Sequence, residues 1–307
     1  MTQPPVRIEP DPTSREGRLY ANVRDALAAL PFHFDSKTNI EGLDAGDLFS
    51  LNSVLGGTIE VQVVSTLNRI RSVWDPDNEW EAYGFRRFSQ TFPDVRLVDS
   101  SDVSAVPVLG IELKGWYLLA KEQAPSYRFT ATKEACAPVD LLAVVPWHLS
   151  DVLSGVPVVR SPFVEQARYA AEMRNYYWVH QRGAASKTGI SEPPNVTPYP
   201  APKVHTSDKP ESDSGGNFGR VARVHGLMNT FIKDALDTEI SGIAARHWID
   251  FFKVFTDALD PEQVDKNMLR LLEKEISDSD EDRALKIMEH LHAIHSVLSG
   301  EPQPETE

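Results

Sequence analysis

Hydrophobic and polar positions change period along the chain, and the changes outline its elements. ANVRDALAALPF (21–32) has helical spacing and stops at Pro31. From Gly56, GGTIEVQVVSTLNRIRSVW brings Val63, Val64, Leu67, Ile70 and Trp74 onto one helical face. WDPDNEW breaks that pattern, and strand-like runs follow. FRRFSQTFPDVRLVD (85–99) reads as a strand with Pro93 at an edge or bulge, and VPVLGIELKGWYLLA (106–120) as the next. A short strand is expected at YRFTAT, in the connection. DLLAVVPW (140–147) suits a strand buried on both faces. PFVEQARYAAEMRNYYWVHQR (162–182) returns to helical spacing, with Pro162 near its start. The order predicts an α/β (α+β) fold with a mixed central sheet flanked by helices.

The ends differ from this middle. Residues 1–18 are polar and Pro-rich and read as disordered. Residues 183–216 are rich in Pro, Ser, Gly and Thr, which predicts a linker or solvated loop. Residues 218–299 hold only helical patterns, with helices expected to begin near Phe218, Ser241, Pro261 and Asp280. Asp260, Pro261 and Gln263 supply the third of these with an N-cap, a proline at N1 and a glutamine at N3. The expected organisation is an N-terminal arm with short helices (1–55), a core (56–187), a flexible linker (188–217) and a helical region (218–300).

Composition narrows the class. Hydrophobic residues make up 41%, and no apolar run reaches the roughly 18 residues that would suggest a membrane helix. The first residues lack the apolar stretch of a signal peptide. Cys136 is the single cysteine, so no intrachain disulfide forms, which fits a cytoplasmic setting. The net charge of −14 is uneven: residues 60–190 carry 14 basic and 15 acidic groups, residues 191–307 carry 12 and 22. Overall acidity argues against non-specific polyanion binding, though not against a site whose own carboxylates bind metal.

One charge pair sits where burial is expected. Within VPVLGIELKGWYLL, Glu112 and Lys114 are the only charges. Alternation along a strand puts both on one face, roughly 7 Å apart at the backbone. Burying either alone is costly. Asp94, behind Pro93 on the preceding strand, precedes Glu112 by eighteen positions. Two carboxylates converging from neighbouring strands make a hard-oxygen site suited to Mg²⁺, beside a lysine able to contact a phosphate or orient water.

Pro93-Asp94 with Glu112-Leu113-Lys114, in the order helix, strand, strand, apolar strand, helix, resembles the PD-(D/E)XK nuclease superfamily over roughly residues 56–182. The resemblance implies a restriction-endonuclease-like core and Mg²⁺-dependent cleavage of double-stranded DNA, as in a type II restriction enzyme. It implies Asp94 and Glu112 as metal ligands, and Lys114 at the scissile phosphate or the attacking water. Glu60, on the apolar face of its helix, stands where some members place an additional acidic ligand; a helix-dipole role is its alternative. Cutting two strands takes two sites, so a homodimer is expected. The helical C-terminal region would then serve dimerisation or DNA reading. A repair or phage-defence nuclease shares these features. The rival from another class is a non-catalytic interaction module on a degenerate scaffold.

Other residues carry less. Arg86, Arg87, Arg168 and Arg174 are candidate DNA contacts, and Gln62 a candidate assistant to the site. In HLHAIH (290–295) only His292 and His295 share a helical face, which fits surface histidines better than a metal site. His148 and Cys136 read as structural.

Overall fold

The computed structural model describes residues 3–257 apart from 103, 184–186, 200–204, 214 and 216, together with 260, 262–264, 266–268 and 270. The chain divides into two units, 1–249 and 250–307. The first unit is built on helices α1 (Arg15–Ala28), α2 (Leu30–His33), α3 (Leu51–Arg69) and α4 (Arg71–Trp74), followed by strands β1 (Tyr83–Arg87), β2 (Val95–Asp99), β3 (Leu109–Tyr117), β4 (Leu141–Leu149), β5 (Pro157–Val159) and β6 (Phe163–Gln166), and then helix α5 (Ala167–Tyr176).

These strands form one mixed sheet in the order β1-β2-β3-β4-β5, with β6 also on β4. β1, β2 and β3 are antiparallel neighbours, and β3 and β4 run parallel. β5 and β6 pair antiparallel with different halves of β4. Flanked on both edges, β4 is buried at every position, as its unbroken apolar run requires. The parallel step from β3 to β4 needs a crossover; residues 118–140 supply it with one 3-10 turn, Lys133–Ala135, and no α-helix. α3 packs on β3 and β1, and its Ile59, Val63 and Leu67 are fully buried.

Several expectations need correction. The helix expected over 21–32 begins at Arg15, capped by the Ser14 side chain, and Pro31 opens α2 instead of ending a helix. Residues 85–99 are two strands joined by a turn containing Pro93, not one. Residues 163–166 of the expected 162–182 helix are strand β6, because their backbone pairs with β4 before α5 starts. The expected strand at YRFTAT is reduced to one bridge, Ala131 with Ser207. The N-terminal arm is fastened rather than loose: Arg7 pairs with Glu165, and Gln166 donates to the Ile8 carbonyl.

The expected linker is, over its described residues, a packed arm. Thr132 N donates to Thr206 O at 2.7 Å and Asp208 N to Thr130 O at 2.8 Å. Ile190–Ser191 and Lys209–Pro210 pair as a short ladder. Of the expected C-terminal helices, the first starts at Asn229 (Asn229–Leu236), and the second at Ala245 (Ala245–Asp257) behind a hairpin turn holding Ser241. Residues 262–264 and 266–268 are helical; Pro261, Asp280 and the histidines of 290–295 lie outside the described residues.

Candidate active site

The sheet opens between β2 and β3. β2 pairs only over Val95–Leu97 against Leu109–Ile111, whereas β3 continues to Tyr117 along β4. Continuing that register by one residue sets Asp94 opposite Glu112. Glycine is required at 110 for this approach: a Cβ there would come within 2.0 Å of Pro93 Cγ and 2.9 Å of Asp140 Oδ1. The missing side chain lets the Pro93–Asp94 corner lie against β3.

Past Ile111, every second N–H on the open edge of β3 is taken by a side chain. Leu113 N donates to Asp94 Oδ1 at 2.9 Å, Gly115 N to Glu60 Oε1 at 3.3 Å, and Tyr117 N to Asn52 Oδ1 at 3.2 Å. A buried edge left bare would be costly. Two of the three acids expected at the site, Asp94 and Glu60, thus cap the edge of β3.

Glu60 lies on the buried face of α3 with its side chain 8% exposed. Its Oε2 accepts from Arg87 Nη2 at 2.6 Å and its Oε1 from Lys114 Nζ at 3.1 Å. The cations reach further out: the side chains of Lys114 and Arg87 are 27% and 34% exposed. Glu60, Lys114 and Arg87 therefore form one cluster, with Asp94 held to the same strand at Leu113 N; the Glu112 side chain lines a small cavity with Phe92, Phe129 and Thr206. Among the described residues, no group of three or more His, Cys, Asp or Glu side chains is arranged to hold a metal ion. Asp94 and Glu112 offer two carboxylates, a set that fits Mg²⁺, which keeps waters and takes one or two protein carboxylates.

The remaining arginines separate. Arg86 is exposed on β1. Arg168 is half-buried and donates to Cys136 O. Arg174 corrects the expectation of a DNA contact: it is fully buried, and all five of its N–H donors are engaged. Nε and Nη2 reach Asn175 Oδ1, Nη1 reaches Phe129 O and Ala131 O, and Nη2 also pairs with Asp208. Gln62 faces Thr38.

Sequence reasoning missed Tyr127 and Asp140. The Tyr127 hydroxyl is buried with no hydrogen-bond partner among the described residues. Burial, with the charges of Glu112 and Asp94, holds its pKa well above the usual value. It lies in the irregular crossover, where no periodicity points to it. Asp140 stands before the apolar run of β4, a visible signal for a buried acid. It accepts from Gly110 N and Ala137 N, both at 2.7 Å, and from the Tyr199 hydroxyl. Burial pushes its pKa up to about 7 against those hydrogen bonds.

No protein-family model matches the chain, and comparison with curated proteins found no match. Among the described residues no helix is long and apolar enough to cross a membrane.

Proposed function

We propose that this protein is a metal-dependent endonuclease of the PD-(D/E)XK type, cutting double-stranded DNA as a type II restriction enzyme does. One observation supports the reading: β2 pairs with β3 as far as Val95–Ile111, so Asp94 and Glu112 are the next residues on the two strands where the sheet opens, with Lys114 two residues on. The succession of α3, three antiparallel strands and the parallel strand β4 supports a restriction-endonuclease-like core. Asp94 and Glu112 would hold Mg²⁺. When bound, the ion supplies charge stabilisation at the phosphoryl oxygens and a more acidic water. Lys114 presents its ammonium to the developing charge on those oxygens. Two such sites, one per protomer of a homodimer, would cut both strands.

The use of Asp94 and Glu60 as caps on the β3 edge favours a second reading, a non-catalytic interaction module in which the acids are structural. Plasmid incubated with the protein and Mg²⁺ separates the two. The nuclease reading expects linear or nicked product that disappears in Asp94→Ala. Supercoiled plasmid left intact over a range of divalent cations, sequences and salt overturns it.

A further inference from the structure

Resting on the nuclease reading, we infer that Glu60 is a positioning residue and not a metal ligand: it holds Lys114 and Arg87 as a two-cation cradle for one phosphodiester oxyanion. Both Glu60 oxygens are already engaged, Oε2 by the guanidinium at 2.6 Å and Oε1 by the ammonium at 3.1 Å and by Gly115 N at 3.3 Å. A metal ion could bind there only by displacing a cation. One carboxylate against two cations leaves the triad with a net charge of +1. The carboxylate lies beneath, 8% exposed, while the cations are 27% and 34% exposed, so an approaching ligand meets positive charge first.

Donor capacity agrees. Among the described residues Arg87 uses one of its five N–H donors and Lys114 one of its three. The cradle adjoins the acids: Arg87 pairs with Val95, next to Asp94, and Lys114 is two residues from Glu112. A phosphodiester suits this geometry because its anionic oxygens accept from both a fork and a point charge.

Three proteins test this: wild type, Arg87→Ala and Glu60→Gln. Anisotropy of a short labelled duplex, measured in EDTA across a salt series, reads the cradle without metal or cleavage. Arg87→Ala should weaken binding several-fold at low salt and reduce the slope of log K against log salt by about one. Glu60→Gln raises the triad to +2 and should bind as tightly as wild type or tighter. Mn²⁺ binding, followed by electron paramagnetic resonance, should be unchanged in Glu60→Gln. A loss well beyond about 100-fold there, more than a residue behind the ligands typically costs, would make Glu60 a ligand and overturn the inference. So would an Arg87→Ala protein that keeps wild-type affinity and slope. If Glu60→Gln does not fold, Arg87→Ala, one-third exposed, decides the cradle, and Glu60→Asp, whose carboxylate is drawn back by one methylene, takes the Mn²⁺ measurement under the same criterion. Wild-type protein that binds duplex but neither takes up Mn²⁺ nor cuts overturns the nuclease reading and leaves the cradle standing. Wild-type protein that binds no duplex overturns both.

Discussion

Two arginine–carboxylate pairs, Arg174–Asp208 and Arg87–Glu60, are built to different ends. In Arg174–Asp208 the side chains are 2% and 0% exposed, and every guanidinium donor has an acceptor. In Arg87–Glu60 the carboxylate is buried but the guanidinium is one-third exposed and spends a single donor. The first pair fastens the arm around Asp208 to α5 and the crossover. The second holds a cation at an opening in the sheet. Burial of the acid is common to both, so it does not separate structure from function here. Unspent donor capacity on the cation does.

The largest effect that would break this contrast is in stability. Asp208→Ala leaves Arg174 charged, buried and short of its anion, and should cost about 3–5 kcal/mol. Arg87→Ala should cost less, about 1–2 kcal/mol, because the buried Glu60 carboxylate keeps Lys114 Nζ and Gly115 N as donors. Urea denaturation of both variants measures the difference. Equal losses would mean that the Arg87 pair is as structural as the Arg174 pair.

Activity should respond the other way round. Lys114→Ala removes the ammonium beside Glu60 while Asp94 and Glu112 remain. Cleavage of plasmid should fall by about 10²–10³-fold, the range for losing one preorganised donor to developing charge. Binding measured by gel shift with Ca²⁺ should fall only several-fold, as for Arg87→Ala, far less than cleavage. A variant cutting at the wild-type rate would make the Glu112–Lys114 spacing accidental and bring the interaction-module reading forward.

What the sequence revealed follows the same division. β3, β4 and α3 were legible because their burial patterns are regular, and Glu112 and Lys114 stood out as charges in an apolar run. The Arg174 network was not legible. Its partners are two backbone carbonyls of an irregular crossover and an aspartate in a segment whose composition suggests a linker. Packing of that segment rests on backbone pairing with residues 130–132, which composition does not record. Glu60 was placed on the right face of α3, but its engagement by Arg87 depends on how closely β1 approaches α3. β6 was hidden because FVEQ continues the helical spacing of α5 and becomes a strand only by pairing with β4.

The smallest expected effect concerns β4 itself, whose two ends carry buried groups that titrate in opposite senses. Asp140, before the first strand residue, has its pKa pushed by burial from 3.8 to about 7. His148, near the other end, is lowered by burial from 6.5 to about 4. Its Nε2 accepts from Arg160 and its Nδ1 faces Leu149 O, which suits the neutral ring. Between about pH 4 and 7 the native state holds a proton on Asp140 that the unfolded chain has released, so this group lowers stability as pH rises. Between about pH 4 and 6.5 the unfolded chain holds a proton on His148 that the native state lacks, so this group raises stability as pH rises. Each slope is at most about 1.4 kcal/mol per pH unit, and in the shared window the two offset. Asp140→Asn removes the falling contribution. It also puts an amide donor towards one of the N–H groups that the carboxylate accepts, which adds a cost independent of pH. The stability of the variant relative to wild type should therefore climb from pH 4.5 to 6.5, on the order of 1 kcal/mol per unit, above that constant offset. Denaturant midpoints at matched ionic strength measure it. A difference that stays level across the window would show that Asp140 titrates alike in the native and unfolded chains, and that its hydrogen bonds from Gly110, Ala137 and Tyr199 balance its burial.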